Sequence, residues 1–267
     1  MNESKPGNHA RHPLAYKNEK FLDIDDARPL RILAEYLEPL HRFEEQKVPG
    51  TVVFFGSARL QPQSPLGRYY DDARTLARLY TTWSNSLPPN VPRYLICSGG
   101  GHGIMEAANR GAREAGGRTI GLNISLPEEQ SANDYITPEL SFEFHYFFMR
   151  KLWFAHLARA VVVFPGGFGT LDEMSEILTL SQTRKLEGRM TVILYGRDYW
   201  REIINFDALV KHGMIGASDL KLFSFANSPQ EALELLRQGI TPAARTAASA
   251  YAKTRPSSDY LYQRSGD

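Results

Sequence analysis

The sequence predicts a doubly wound α/β fold, one domain on an open parallel sheet with a helix added at its N-terminus. Three observations carry this. Short apolar runs bounded by Gly or Pro alternate with segments whose apolar residues recur every three to four positions, the signature of strand and helix in succession. Several of those runs end in glycine-bearing turns that lead straight into a helix, as crossover connections of a parallel sheet do. The 267 residues, 42% of them hydrophobic and 23% charged, suffice for one large α/β domain, and no composition break marks a linker in the middle.

Residues 1 to about 22 are polar, rich in Pro, Gly, Asn and Lys, and are expected to be a disordered tail ahead of a domain spanning 23–240. From Ala27 to about Val48, Leu30, Leu33, Leu37 and Leu40 predict an amphipathic helix interrupted at Pro39. It precedes the first strand, so it either packs on the core or offers a face to a partner. Thr51–Phe55 reads as that strand, ending in Gly56 and Ser57. A helix from Gly67 to about Leu87 buries Tyr70, Ala73, Leu76, Ala77 and Tyr80, and the Pro-rich run at 88–92 stops it.

A second strand, Tyr94–Cys97, runs into Ser98-Gly99-Gly100-Gly101-His102-Gly103 and a helix from Ile104 to about Ala115, closed by Gly116 and Gly117. Arg118–Ile124 is the third strand, Leu126–Asn133 a loop, and Phe142–Phe147 a further alternating strand. A helix carrying Met149, Arg150 and Lys151 follows. Beyond the central strand and its helix come a strand at Thr191–Tyr195, a helix from about Tyr199 to Lys211, a strand near Leu222–Phe225 and a helix from Pro229 to Gln238. Residues 241–267, rich in Ala, Ser, Thr and Arg, read as a loose tail. No solenoid repeat is present.

The central stretch is Ala160-Val161-Val162-Val163-Phe164-Pro165-Gly166-Gly167-Phe168-Gly169-Thr170-Leu171-Asp172-Glu173: a buried strand, a glycine turn and a helix start marked by Leu171, Met174, Ile177 and Leu178. Gly166, Gly167 and Gly169 permit positive φ and close backbone approach, and the unpaired N–H groups of a helix N-terminus favour an anion. The competing reading is a capping box in which Thr170 caps the helix and Glu173 reaches back, but three glycines in four positions exceed what a cap needs. Carboxyl ends of parallel strands share one edge, so the turns at Gly56-Ser57, Ser98–Gly103 and Gly166–Thr170 converge on one crevice. Neither the Gly-x-x-x-x-Gly-Lys-Ser/Thr loop nor the Gly-x-Gly-x-x-Gly spacing occurs there.

Two charged residues flank this stretch. Glu173, read as lying in the first helical turn, is held ionised by the dipole, which suits support of a cationic transition state or orientation of water. Arg150 is a planar fork of donors fitted to phosphate, base or sugar, or else a surface salt-bridge partner. His102 without a partner to orient its ring reads as solvated. His145 and His156 lack further ligands at metal spacing, so no metal site is expected. Cys97 reads as buried and inert, while Glu106 and Asn109 either line the crevice or face water.

Lys plus Arg number 31 against 30 Asp plus Glu, so no global field points to nucleic acid or to a membrane surface. The lone cysteine, the absence of an apolar leader and the absence of a spanning run lead to the expectation of a cytoplasmic protein.

Pro165-Gly166-Gly167-Phe168-Gly169-Thr170-Leu171-Asp172-Glu173 resembles the Pro-Gly-Gly-x-Gly-Thr-x-x-Glu signature of the LOG (Lonely guy) family, and Met149-Arg150-Lys151 resembles its upstream Arg-Lys element. The resemblance runs from about Val52 to Phe225, through Gly56-Ser57 and the glycine turn from Ser98 to Gly103, and is to the long bacterial branch. It implies a Rossmann-like phosphoribohydrolase that releases free base and ribose 5-phosphate from nucleoside 5′-monophosphates, AMP and N6-substituted AMP among them, with no cofactor. It further implies Arg150 and Glu173 as the catalytic pair, and Gly56, Ser57, Gly99, Gly100, Gly101, Met149, Lys151, Gly166, Gly167, Phe168, Gly169 and Thr170 as substrate- and phosphate-binding residues. Relatives are homodimers or higher homo-oligomers. Members often carry the label lysine decarboxylase. That chemistry needs a Schiff-base lysine, a pyridinium partner and a phosphate cup, and only Lys151 is available. A nucleotide-binding module without turnover is the alternative, which the joint presence of Arg150 and Glu173 disfavours.

Overall fold

The computed structural model describes residues 13–126, 131–183, 185 and 190–240. In chain order the elements are α1 (Glu19–Leu22), α2 (Arg28–Glu45), β1 (Thr51–Phe55), α3 (Arg68–Ser86), β2 (Leu95–Ser98), α4 (Ile104–Glu114), β3 (Thr119–Ile124), β4 (Ser141–Phe144) and α5 (Phe147–Leu157). They continue with β5 (Ala158–Val163), α6 (Phe168–Gln182), β6 (Thr191–Tyr195), α7 (Arg197–Ile203), α8 (Phe206–Lys211) and β7 (Ser224–Ala226). A helix over 229–240, α9, closes the described chain.

Seven strands form one sheet in the order β4-β3-β2-β1-β5-β6-β7, every pair parallel. The central strands are buried on both faces. Val52, Phe54, Ile96, Val162 and Ile193 pack against α3, α4 and α9, and Val53, Phe55, Cys97, Val161 and Val163 against α2, α5 and α6. The chain proceeds outward from β1 to β4, returns to place β5 beside β1, then proceeds outward the other way. The switch therefore lies between β1 and β5, where open α/β sheets leave a crevice at the carboxyl edge.

Several expected boundaries shift for local reasons. The helix expected over 199–211 is two helices, because Ile204 turns extended and the Asn205 side chain accepts from Ala208 N–H at 2.9 Å to cap a new start. The alternating strand ends at Phe144, so Phe147 opens α5 instead of closing β4. The last strand is Ser224–Ala226, after a 3-10 turn at Ala217–Lys221. Residues 13–22, expected to belong to an unordered tail, carry a 3-10 turn at Ala15–Lys17 and then α1, whose start Asn18 caps. The expected tails at 1–12 and 241–267, and the loop residues 127–130, lie outside the described residues.

Pro39 does not interrupt α2, which runs through it. A proline leaves the carbonyl four residues earlier without its helical donor. That carbonyl belongs to Glu35, and the Trp153 indole N–H from α5 donates to it at 3.0 Å. The Glu35 carboxylate meanwhile accepts from the backbone N–H groups of His145 (2.7 Å) and Tyr146 (3.2 Å) at the start of α5. One residue of the added helix thus fastens the helix that carries Arg150. Phe43 completes the contact, its ring 5.3 Å from Trp153 and 4.7 Å from Phe142.

Candidate active site

The three glycine turns meet as their strand order requires. Ser57 N–H donates to Pro165 O at 3.0 Å, and Ile104 N–H donates to Ser57 O at 3.1 Å, so the turns after β1, β2 and β5 are linked in series. Their packing leaves no room for side chains: a Cβ on Gly56 would sit 2.7 Å from Ile104, and one on Gly103 would sit 2.3 Å from Ser57 O.

The turn before α6 differs in detail from the expectation. None of its glycines has positive φ; in the β2 turn Gly100 (75°) and Gly103 (64°) do. Gly166 is needed for space, since its Cβ would fall 2.1 Å from Thr170 Oγ1, and the Tyr199 hydroxyl donates to Gly166 O at 2.9 Å. Gly167 and Gly169 face open space, with nothing within 4 Å of an added Cβ. No capping box forms. The helix begins at Phe168 with Gly167 as N-cap and no side-chain cap bond, and Thr170 is buried. The N–H groups of the first helical turn have no carbonyl within the helix to bond, which leaves them open to an anion. Phe168 at the helix start is 93% exposed.

Glu173 lies in the second turn of α6, beyond the strongest reach of the helix N-terminus. Its carboxylate accepts from Arg150 Nη2 at 3.3 Å, and the two side chains are 14% and 13% exposed. Burial therefore dominates its titration and pushes its pKa up to about 7, with Arg150 opposing. This corrects the expectation of a carboxylate held ionised by the dipole. Burial likewise lowers the Arg150 pKa from its ordinary value, against the pull of Glu173. The guanidinium lies over the Phe147 and Phe154 rings, at 5.3 and 5.7 Å, and its Nε has no acceptor among the described residues. Gly99 of the β2 turn adjoins it, a Cβ there lying 4.0 Å from Nη1. A cation with an unused donor and a desolvated carboxyl thus stand together beside the linked turns.

Other residues named from sequence fall elsewhere. Met149 is buried in the core cluster. Lys151 crosses to α6, its Nζ 2.6 Å from Asp172 and 3.7 Å from Glu176; burial works to lower its pKa, but these carboxylates outweigh it and the net direction is up. His102 has a partner after all, with Nδ1 3.5 Å from Glu106, whose other oxygen accepts from the Tyr70 hydroxyl at 2.7 Å. Burial pushes the Cys97 thiol well above its ordinary pKa. Asn109 neither lines the crevice nor faces water: it is fully buried and bonds Ser98 and Ile120. Asn123 and Asn133 were not singled out by the sequence reading, yet both pack on the β2 turn. Isolated polar residues without periodicity or motif give no signal of such a role.

Comparison with known proteins shows what the chain is similar to. The sequence model of the family described as "Possible lysine decarboxylase" matches residues 105–236. A protein of Oryza sativa subsp. japonica described as a probable cytokinin riboside 5′-monophosphate phosphoribohydrolase is 30% identical over 54% of this chain and 62% of its own length. The chain thus spans about three fifths of that relative. An Arabidopsis thaliana cytokinin riboside 5′-monophosphate phosphoribohydrolase is 24% identical over 54% of this chain and 66% of its own. Among solved structures, that of the structural-genomics protein TM1055 superposes with a TM-score of 0.51 at 24% identity, covering 71% of this chain and 99% of that one, a likeness of fold. With the glycine signature at the switch point of a parallel seven-stranded sheet, the chain is similar over about half its length to that family and to relatives described as cytokinin riboside 5′-monophosphate phosphoribohydrolases.

Proposed function

We propose that this protein is a phosphoribohydrolase cleaving the N-glycosidic bond of nucleoside 5′-monophosphates, AMP and N6-substituted AMP, to free base and ribose 5-phosphate. The observation that carries the reading is the buried Arg150–Glu173 pair at 3.3 Å beside three hydrogen-bonded glycine turns. The relatives described as cytokinin riboside 5′-monophosphate phosphoribohydrolases support the same reaction class.

In this scheme the 5′-phosphate rests on Gly166–Thr170, against the first-turn N–H groups of α6. Binding there, remote from the reacting bond, aligns the sugar with the pair. The bond between C1′ and the base nitrogen breaks with its electron pair leaving on the base, which takes up a proton from water to become the free base, and an oxocarbenium-like ribose develops. Ionised Glu173 stabilises that charge and takes a proton from the water that attacks C1′, a role suited to a carboxyl poised near pH 7. Arg150 orients the substrate through its unused donor and favours departure of the base. Every step uses groups of the chain and water.

Lys151 argues against decarboxylation. A Schiff-base lysine needs a free, neutral amine, and this one is paired with two carboxylates. We further propose that the protein works as a homodimer or higher homo-oligomer.

The test is release of ribose 5-phosphate from AMP and from N6-isopentenyl-AMP by wild type and by Glu173→Gln, without added metal. Release by wild type, lowered at least about 100-fold in the variant while nucleotide affinity stays within a few-fold, is the expected result. Nucleotide binding without release from either substrate would make the protein a binding module instead.

A further inference from the structure

Behind the β2 glycine turn stands an asparagine from a different loop, 33 residues beyond Gly100. Asn133 Nδ2 donates to Gly100 O (2.9 Å), Gly101 O (3.0 Å) and Asn109 Oδ1 (3.0 Å). Its backbone N–H donates to Gly100 O again, at 2.8 Å, and its Oδ1 accepts from Tyr135 N–H at 3.1 Å. Ser98 Oγ donates to Asn109 Oδ1 at 2.7 Å and accepts the Gly100 N–H at 3.1 Å, while Asn109 Nδ2 donates to Ile120 O at 3.2 Å. Asn133, Asn109 and Ser98 are all buried. Their amide and hydroxyl groups are spent on one another and on the backbone, so the cluster's effect is to fix the orientation of peptide units.

That orientation determines what the turn offers. The described peptide bonds are all trans, and in a trans unit the C=O and N–H point in opposite directions. With the carbonyls of Gly100 and Gly101 drawn onto Asn133, the N–H groups of Gly101 and His102 are driven away from the buried asparagine. Neither has an acceptor among the described residues. Successive N–H groups on one side of a turn make a concave donor pair for an oxygen ligand, and positive φ at Gly100 and Gly103 lets the backbone adopt the shape. Gly99, next in line, adjoins Arg150 Nη1.

We infer that Asn133 is a positioning residue that presents the N–H groups of Gly101 and His102 to a ribose oxygen of the substrate. The inference rests on the phosphoribohydrolase reading. With the phosphate on the α6 turn and C1′ at the Arg150–Glu173 pair, the part of the nucleotide that meets a turn beside Arg150 is the sugar.

Calorimetric titration with inorganic phosphate and with ribose 5-phosphate tests this without turnover. Asn133→Asp keeps size and the Oδ1 acceptor but sets an oxygen against two carbonyls, so the clamp opens. Affinity for ribose 5-phosphate should fall about tenfold, the worth of one hydrogen bond, while phosphate stays within about twofold. Equal loss for both ligands, as general destabilisation would give, or no loss, overturns the inference. A wild type that binds phosphate but gains nothing from the ribose overturns it alone, whereas one that binds neither overturns the phosphate turn with it. Should Asn133→Asp fail to fold, the wild-type amide spectrum decides. Gly101 and His102 resonances should move with ribose 5-phosphate and not with phosphate, and stationary resonances overturn the inference.

Discussion

Glu173 sits where two influences oppose each other, and their balance sets its working pH. Burial favours the neutral acid, the Arg150 guanidinium favours the anion, and burial prevails at about 7. If the anion acts, kcat/KM for AMP should climb with pH and level off above an apparent pKa near 7; a profile flat from pH 5.5 to 8.5 would remove Glu173 from that role. Stability should move the other way. A carboxyl raised from its ordinary 4.5 holds its proton longer in the folded state, so its contribution is full below 4.5 and is lost as pH rises through 7. Glu173→Gln, which does not titrate, should therefore gain in Tm relative to wild type between pH 5 and 8, read by thermal unfolding. The two charged residues were legible in the sequence because a motif names them and helical spacing places them. The direction of the Glu173 shift was not, since it depends on lying one turn deeper in α6 and on burial that no linear pattern encodes.

The glycine turns separate glycines that the packing requires from glycines that it leaves open. Gly166 has Thr170 in the space its side chain would need, whereas Gly167 has nothing within 4 Å and an ordinary φ of −89°. Gly166→Ala should cost about 1–3 kcal/mol by overpacking, measured by urea unfolding. Gly167→Val should leave stability within about 1 kcal/mol yet weaken nucleoside monophosphate more than nucleoside; equal weakening would argue against a phosphate turn. The added helix makes a matching prediction. Because the Glu35 carboxylate receives two N–H groups at the start of α5, Glu35→Ala should cost about 1–2 kcal/mol and lower turnover through a displaced Arg150; a stability loss with unaltered kcat would separate the cap from the site. Strands and main helices were readable because the apolar runs of a parallel sheet are continuous and turns punctuate them. The break between α7 and α8 was not: it depends on Asn205 capping, with neither Gly nor Pro between Tyr199 and Lys211 to announce it. Pro39 misled for the complementary reason, that Trp153 supplies from another element the donor a proline removes.

At the scale of the whole molecule, α2 presents two faces, of which only one is covered by other described residues. Phe43 is buried against the core, while Leu30, Leu33 and Leu37 on α2 are each about half exposed. On the neighbouring α5, Phe147, Phe148 and Leu152 are exposed as well. The rings of Tyr36 and Trp153, 5.6 Å apart, hold α2 and α5 side by side. Six exposed apolar side chains on two packed helices form the kind of surface that self-association removes from water, each leucine fully covered being worth about 1.5–3 kcal/mol. Phe147 gives this face a bearing on the site, because its ring lies against Arg150. A second copy seated over α5 would shield the Arg150–Glu173 pair from bulk water and strengthen its field. Leu33→Glu combined with Leu37→Glu should therefore shift sedimentation to the monomer without loss of helix content. It should also lower kcat for AMP more than it raises KM, since the α6 turn proposed to hold the phosphate is untouched. A monomeric variant with full kcat would confine this face to assembly, and an unaltered sedimentation coefficient would place the association surface elsewhere.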